Sequence, residues 1–246
     1  GASVAPSRKW WRPGSVRLCE APMGPASMMA YATYTGTRRN LDAMRAHGWR
    51  LLVTPDTHAR NGRTRPRWVD GTPAGFGLDN GAWGSHCRGE PFNVPAFERT
   101  VSEAGADADW LILPDIVGGG LESLRVSMEW APRLHGVCPL LVAVQNGMTP
   151  ADVALLVGPD LGIAVGGSTE WKESTIPAWG ELSRTSGAYL HVLRVNTCRR
   201  IDLCRDAGAD SFDGTSVSRF AKTLPLLDGA RRQLSLLNGA PYVSPS

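Results

Sequence analysis

Short apolar runs, too brief for helices, recur along the chain: Arg17 to Cys19, Arg50 to Thr54, Phe76 to Asp79, Trp110 to Pro114, Leu140 to Val144, Gly162 to Val165, Leu190 to Leu193 and Ser211 to Asp213. Between most of them the apolar spacing changes to that of a helix. In TRRNLDAMRAHG, Leu41, Met44 and the alkyl part of Arg45 fall on one face, and VPAFERTVSEAGA, LESLRVSMEWAPRL, PADVALLV, RRIDLCRDAG and VSRFAKTLPLLDGARRQL behave similarly. Strand then helix, repeated about eight times in 246 residues, predicts the α/β class and a single-domain (β/α)8 TIM barrel. A doubly wound open sheet competes, but the Gly-rich fingerprint expected after its first strand is missing. The expected layout is a basic, Trp-containing extension over 1–16, a catalytic barrel over 17–236 and a tail over 237–246.

Composition narrows the setting. The chain is 42% hydrophobic and 20% charged, ordinary for a domain with one large core. It contains no apolar run of about 18 residues, and GASVAPSRKWWRPG lacks the apolar centre of a signal peptide, so a cytoplasmic protein without a membrane partner is expected. Five scattered cysteines (Cys19, Cys87, Cys138, Cys198, Cys204) form no Cys-x-x-Cys pair and predict reduced, mostly buried thiols and no structural metal.

The net charge of +3 conceals an asymmetry: residues 1–70 carry twelve Arg or Lys against four acids. SRKWWRPG and HARNGRTRPRW concentrate it. The second, with Arg60, Arg63, Arg65 and Arg67 ahead of Trp68, offers phosphate contacts and a stacking surface for an unpaired base. The plainer reading is a solvated loop, and with only three lysines in the chain the arginine abundance can partly reflect GC-rich coding.

In a barrel, chemistry belongs where strands end. FGLDNGAWG puts Asp79 and Asn80 there, LPDIVGGG puts Asp115, VAVQNG puts Gln145, GIAVGGS puts Gly166, Gly167 and Ser168, and SFDG puts Asp213. Each also has a purely structural reading: a turn at Asp79-Asn80-Gly81, an N-cap or salt-bridge acid at Asp115, a cap at Gln145, a phosphate nest or tight strand exit at the glycines. His191 alternates with Leu190 and Val192 and reads as a hydrogen-bonded core histidine. Arg194 is the better rim candidate. His58 and His86 read as solvated or phosphate-facing loop residues, and Lys172 and Glu173 as the start of a helix.

From Phe76 to Arg219 these motifs, in this order, resemble the queuine/guanine tRNA transglycosylases and, more closely, the zinc-less 7-deazaguanine DNA transglycosylases of phages and bacterial genomic islands. LDNGAWG is similar to that family's Asp-Ser-Gly-Gly-Phe segment. LPDIVGGG with SMEWA resembles its Phe-Asp-Glu-Cys stretch and the helix that follows. VAVQNG, GIAVGGS, YLHVLRV and AGADSFDGTSVSRF resemble its Val-Gln-Gly, Gly-Gly-Leu, His-Tyr-Leu-Met-Gly-Val and Phe-Asp-Cys-x-x-Pro-Thr-Arg segments. The resemblance implies that Asp213 is the nucleophile at C1′ of a guanine nucleotide and that Asp79 is the general acid and base. It implies that Asp115, Gln145, Gly166, Gly167, Ser168 and Asn80 bind the base; Arg194, from its strand end, is a candidate for contact with nucleic acid, and Arg219 either touches backbone phosphate or caps the last helix. Partners implied are DNA, favoured over tRNA, and a free 7-deazaguanine such as the 7-cyano compound. The base must be flipped out or taken from a single strand. No cofactor is implied, the setting would be host cytoplasm for a phage protein, and a homodimer is compatible with the resemblance.

The departures are specific. No cysteine follows Asp213, so no zinc subdomain is expected; Asn80 and Ala82 replace Ser and the second Gly; Gly118 to Gly120 replace a longer segment; Ser168 replaces Leu; Gly214 replaces Cys; and Val217-Ser218-Arg219 stands for Pro-Thr-Arg. Three alternatives stay open: the same exchange on tRNA, a noncatalytic accessory subunit, and a phosphate-binding barrel of small-molecule metabolism.

Overall fold

The computed structural model describes residues 28–35, 37–219 and 221–233. Eight parallel strands close in sequence order: β1 (Met29–Thr33), β2 (Arg50–Val53), β3 (Phe76–Leu78), β4 (Leu111–Ile112), β5 (Leu140–Val144), β6 (Leu161–Val165), β7 (Leu190–Val192) and β8 (Ser211–Gly214). Helices connect them: α1 (Arg38–Ala46), α2 (Pro55–Arg60), α3 (Ala82–Cys87), α4 (Val94–Ala104), α5 (Leu121–Leu134), α6 (Pro150–Val153), α7 (Thr169–Ser186), α8 (Cys198–Asp206), α9 (Ser216–Arg219) and α10 (Leu224–Arg232). This is the predicted (β/α)8 barrel, with one correction at its start. The first barrel strand is MAYAT, which has no β-branched run to announce it; pairing with both β2 and β8 makes it a strand. The run Arg17 to Cys19, the extension 1–16 and the tail 237–246 lie outside the described residues.

Closure buries both faces of every strand, which is why β5 reads LLVAV without alternation yet sorts its side chains by parity. Tyr31, Leu52, Trp110, Ile112, Leu141, Ala143 and Ala164 pack together in the lumen. Phe76, Leu78, Val142, Ile163 and Phe212 join the outer core instead, beneath the helices. At β8 the same parity turns Phe212 outward, edge-on to Trp49 at 5.7 Å between centroids. Ser211 and Asp213 are thereby turned inward.

Several helix starts are fixed at the strand-end rim by side-chain caps. Thr54, Asn93, Ser168 and Thr197 accept from the backbone N–H of Thr57, Ala96, Trp171 and Arg200. The helical spacing of PADVALLV is realised only as Pro150–Val153, because Gly158 and Leu161 pair across a turn. Conversely α7 runs for 18 residues with Pro177 inside it, a length its sequence hides. The four described cysteines are free thiols, but only Cys204 is buried, and Cys87 and Cys198 are exposed at helix ends, which corrects the expectation of mostly buried thiols. Among the described residues no helix is long and apolar enough to cross a membrane.

Candidate active site

A cavity of about 540 Å³ opens at the C-terminal ends of the strands. Asp79, Asn80, Asp115, Gln145, Gly166, Gly167, Ser168, Arg194 and Asp213, drawn from six different strand ends, all line it. Residues spread over 135 positions of chain are thus brought together by barrel closure, as the rim rule requires. Thr33, Thr54, Trp83, Asn146, Asn196 and Thr215 also line it, and sequence reasoning singled out none of them.

Asp213 is 3% exposed and stands on a polar relay through the barrel core. Its Oδ1 lies 3.3 Å from His191 Nε2 and accepts the backbone N–H of Arg194 at 3.1 Å. His191 Nδ1 lies 2.7 Å from Ser211 Oγ, which accepts the Tyr189 hydroxyl at 2.8 Å. A carboxylate only accepts, so Nε2 carries the proton and Nδ1 takes the Ser211 hydroxyl. His191 is the buried, hydrogen-bonded histidine expected, but its partner is a site carboxylate. The signal was its register with Ser211, visible only once β7 and β8 are neighbours. Among the described residues Asp213 Oδ2 has no hydrogen-bond partner, leaving it to the cavity. Gly214 follows because a Cβ there would sit 2.4 Å from the Val195 carbonyl oxygen.

Asp79 has different surroundings. Burial first, then the charges of Asp213 and Asp115, push its carboxyl up to about 7, against the Gly81 N–H on Oδ1 at 2.7 Å and the positive charge of Arg194. Burial also raises Asp115, opposed by the Asn80 amide at 2.8 Å. The two predicted amides turn out to hold protein. Asn80 Nδ2 also donates to the Leu113 carbonyl and its Oδ1 accepts from Ala82 N–H. Gln145 accepts from Gly118 N–H at 2.6 Å and donates to the Ile116 carbonyl at 2.8 Å. Ser168 caps α7, and its N–H is taken by Asn146 Oδ1 at 2.7 Å. Gly167, at φ +75, has no room for a Cβ against Asn146 and Trp171. Among the described residues its N–H has no partner.

Arg194 joins three sides of the mouth. Its backbone is left-handed at φ 58, a conformation that strains a residue with a side chain. Its Nη2 donates to the Gly167 carbonyl at 2.5 Å, and its guanidinium lies 4.2 Å from the Trp83 ring centroid. Lys172, read from sequence as an ordinary helix residue, is buried and donates to the Leu193 carbonyl. Burial first, then Arg194, bring its ammonium down to about 8.

The arginine-rich loop does not join this site. Arg63, Arg65 and Arg67 are exposed in the connection from α2 to β3. Arg65 pairs with Asp107, ahead of β4, at 3.0 Å, and Asp70 pairs with Arg45 near the end of α1. These partners lie where strands begin, on the face opposite the cavity. Arg60 is exposed at the far end of α2, and the Arg219 side chain lies outside the described residues. His58 is neither solvated nor in a loop: it is buried in α2 with Nε2 2.9 Å from Glu103. His86 is exposed and stacks on Trp83. Among the described residues no group of three or more His, Cys, Asp or Glu is disposed to hold a metal ion.

No family model and no curated protein sequence matches the chain. Among solved structures it is similar to phosphoribosyl anthranilate isomerase from Thermococcus kodakaraensis, with a TM-score of 0.50 and 10% identity over 84% of this chain and 99% of that one. The shared feature is the barrel. A native KDPGal structure aligns with a TM-score of 0.46 and 11% identity over 83% of this chain and 94% of that one. A tryptophan synthase from M. tuberculosis, in its open form with BRD0059 bound, gives 0.47 and 16% over 84% and 90%. At this identity the likeness extends to the TIM-barrel architecture.

Proposed function

We propose that the protein is a pentosyltransferase that exchanges guanine in DNA for a 7-deazaguanine base, such as 7-cyano-7-deazaguanine, through a covalent aspartyl-glycosyl intermediate. The observation that carries this reading is the pairing of two acids of unlike surroundings, Asp213 and Asp79, on one cavity. The free Oδ2 of Asp213 attacks C1′ as the C1′–N9 bond breaks, and Asp79 gives its proton to the departing guanine. The incoming base then attacks C1′ through its N9, its proton returns to Asp79, and the ester bond to Asp213 breaks. An acid raised to about 7 is suited to giving and taking a proton near neutrality.

The volume of about 540 Å³ is ample for a nucleobase and its sugar. Asp115, steadied by Asn80, accepts from the base's N1–H and exocyclic amine, and the free Gly167 N–H meets the opposite carbonyl. Gln145 acts by holding the Ile116–Gly118 segment against the ring. The test is a denaturation-resistant protein–DNA adduct that Asp213→Ala abolishes and Asp79→Ala forms slowly. An adduct that persists in the Asp213 variant removes the nucleophile from this scheme. Label release from guanine-labelled DNA but not tRNA separates the two polymers.

A second reading, a barrel enzyme of small-molecule metabolism holding a phosphate at Gly166–Ser168, is favoured by the free Gly167 N–H ahead of the 18-residue α7. It also fits the fold shared with phosphoribosyl anthranilate isomerase. Protection against thermal unfolding by phosphorylated sugars, with none by 7-deazaguanine, would favour it.

A further inference from the structure

With the Arg63–Arg67 loop on the opposite face, the cations near the mouth come from elsewhere in the chain. Thr33 lines the cavity at the end of β1, and α1 opens just beyond it with Arg38 and Arg39, both exposed and neither paired with an acid among the described residues. Asn196 lines the cavity after β7, and α8 opens just beyond it with Arg199 and Arg200, which share the single carboxylate of Glu173 at 2.5 and 2.9 Å. The turn Ala221–Thr223 packs on α1 and adds exposed Lys222.

These helix starts are electrostatically unusual. Cations in a first turn oppose the helix dipole, and proteins ordinarily put acids there. α2, α5, α6 and α7 follow the rule with Asp56, Glu122, Asp152 and Glu170. α3, α4 and α10 also lack an acid in the first turn, but α1 and α8 place arginines there, and on α1 the one acid is Asp42. Both flank β8. The start of α1 is fastened to α9, the helix after Asp213, by Asn40 Nδ2 donating to the Ser218 carbonyl at 2.6 Å and Ser218 Oγ donating to the Thr33 carbonyl at 3.0 Å. The quadrant beside Asp213 therefore carries a net positive charge, with Arg38, Arg39 and Lys222 unpaired among the described residues and Arg199 and Arg200 sharing one carboxylate.

We propose that this quadrant, from Arg199 across α9 to Arg38, Arg39 and Lys222, is the track for the phosphodiester backbone of a single DNA strand whose target nucleotide enters the cavity. The assignment rests on the base-exchange reading for the identity of that nucleotide. An anion there relieves the opposition between cation and dipole at both helices, and the track passes the lip where Asp213 and Thr215 face the opening.

The test is fluorescence anisotropy of a labelled, guanine-containing single-stranded DNA oligonucleotide on the full chain at a series of salt concentrations. Arg38→Ala/Arg39→Ala is expected to bind about tenfold more weakly and to lower the slope of log K against log salt by about 1.4, some 0.7 for each phosphate that is no longer neutralised. Arg63→Ala/Arg65→Ala/Arg67→Ala is expected to bind as the unaltered chain does. Arg38→Gln/Arg39→Gln replaces the alanine pair should melting curves show that it does not fold. Loss of binding in the loop variant with none in the rim variant overturns the assignment, as does an unaltered chain that does not bind the strand. Binding that depends on Arg38 and Arg39 without any guanine release supports the track and overturns base exchange. Guanine release from DNA that is indifferent to Arg38 and Arg39 does the reverse.

Discussion

His191 Nε2 stands 3.3 Å from Asp213 Oδ1, with both side chains closed off from solvent. The imidazole sits between the edge of Tyr31 and the tilted ring of Trp110, 4.4 Å from the latter's centroid, so it cannot turn away. Its N–H therefore fixes which Asp213 oxygen faces the cavity. His191→Phe keeps the ring and removes the donor. We expect adduct formation to slow by roughly ten- to a hundredfold, the worth of one hydrogen bond to a charged group, with DNA affinity unchanged. Single-turnover kinetics beside a binding isotherm read the two effects separately; an unaltered rate would show that His191 only fills space.

Asp79 provides the pH dependence. Its carboxyl is raised from 3.8 to about 7, chiefly by burial. The fold thus favours the protonated acid, and that stabilisation is full below the ordinary carboxylate range and lost as pH rises through about 7. In the proposed reaction adduct formation draws on the proton of Asp79, so its rate should fall as pH rises over the same interval. Asp79→Asn should flatten both profiles. Urea melts and single-turnover rates across neutral pH check this, and a variant as pH-dependent as the parent would refute it.

Arg194 offers a comparison of two substitutions at one backbone. Glycine and alanine both delete the interactions with Gly167 and Trp83, but only glycine adopts φ 58 without strain. We expect Arg194→Gly to be more stable than Arg194→Ala by about 1 kcal/mol, and both to be impaired in base exchange. Chemical denaturation measures the difference; equal stabilities would mean that the left-handed backbone carries no strain.

Asp228 closes the barrel's back. It is buried and accepts from His47 at 2.8 Å, Trp49 Nε1 at 3.0 Å, Arg231 Nε at 2.9 Å and Arg232 Nε at 2.7 Å, joining α10 to the connection between α1 and β2. Burial raises its carboxyl, but the hydrogen bonds from His47, Arg231 and Trp49 outweigh it and hold the group below the usual carboxylate range. Its contribution is accordingly present at neutral pH and lost as pH falls through that lowered value. Asp228→Ala should cost about 3 kcal/mol, or roughly 10 °C in melting temperature, with little effect on DNA affinity.

By itself the sequence determined the alternation of strand and helix, and with it the barrel and the strand ends at which Asp79, Asp115, Gln145, Gly166 and Asp213 appear. Those features are local, because apolar periodicity and the residue just past a strand need no knowledge of neighbours. Tertiary structure decided the rest. It made a strand of MAYAT between β8 and β2, set His191 beneath Asp213 through the β7–β8 register, and turned the Asn80 and Gln145 amides onto their own loops. It also placed the charges. Arg63, Arg65 and Arg67 are close together in sequence but lie where strands begin, whereas Arg38, Arg39 and Arg199 come from distant segments and share the rim beside Asp213. A closed parallel barrel sorts residues by which end of a strand they follow, and that sorting is invisible to nearness along the chain.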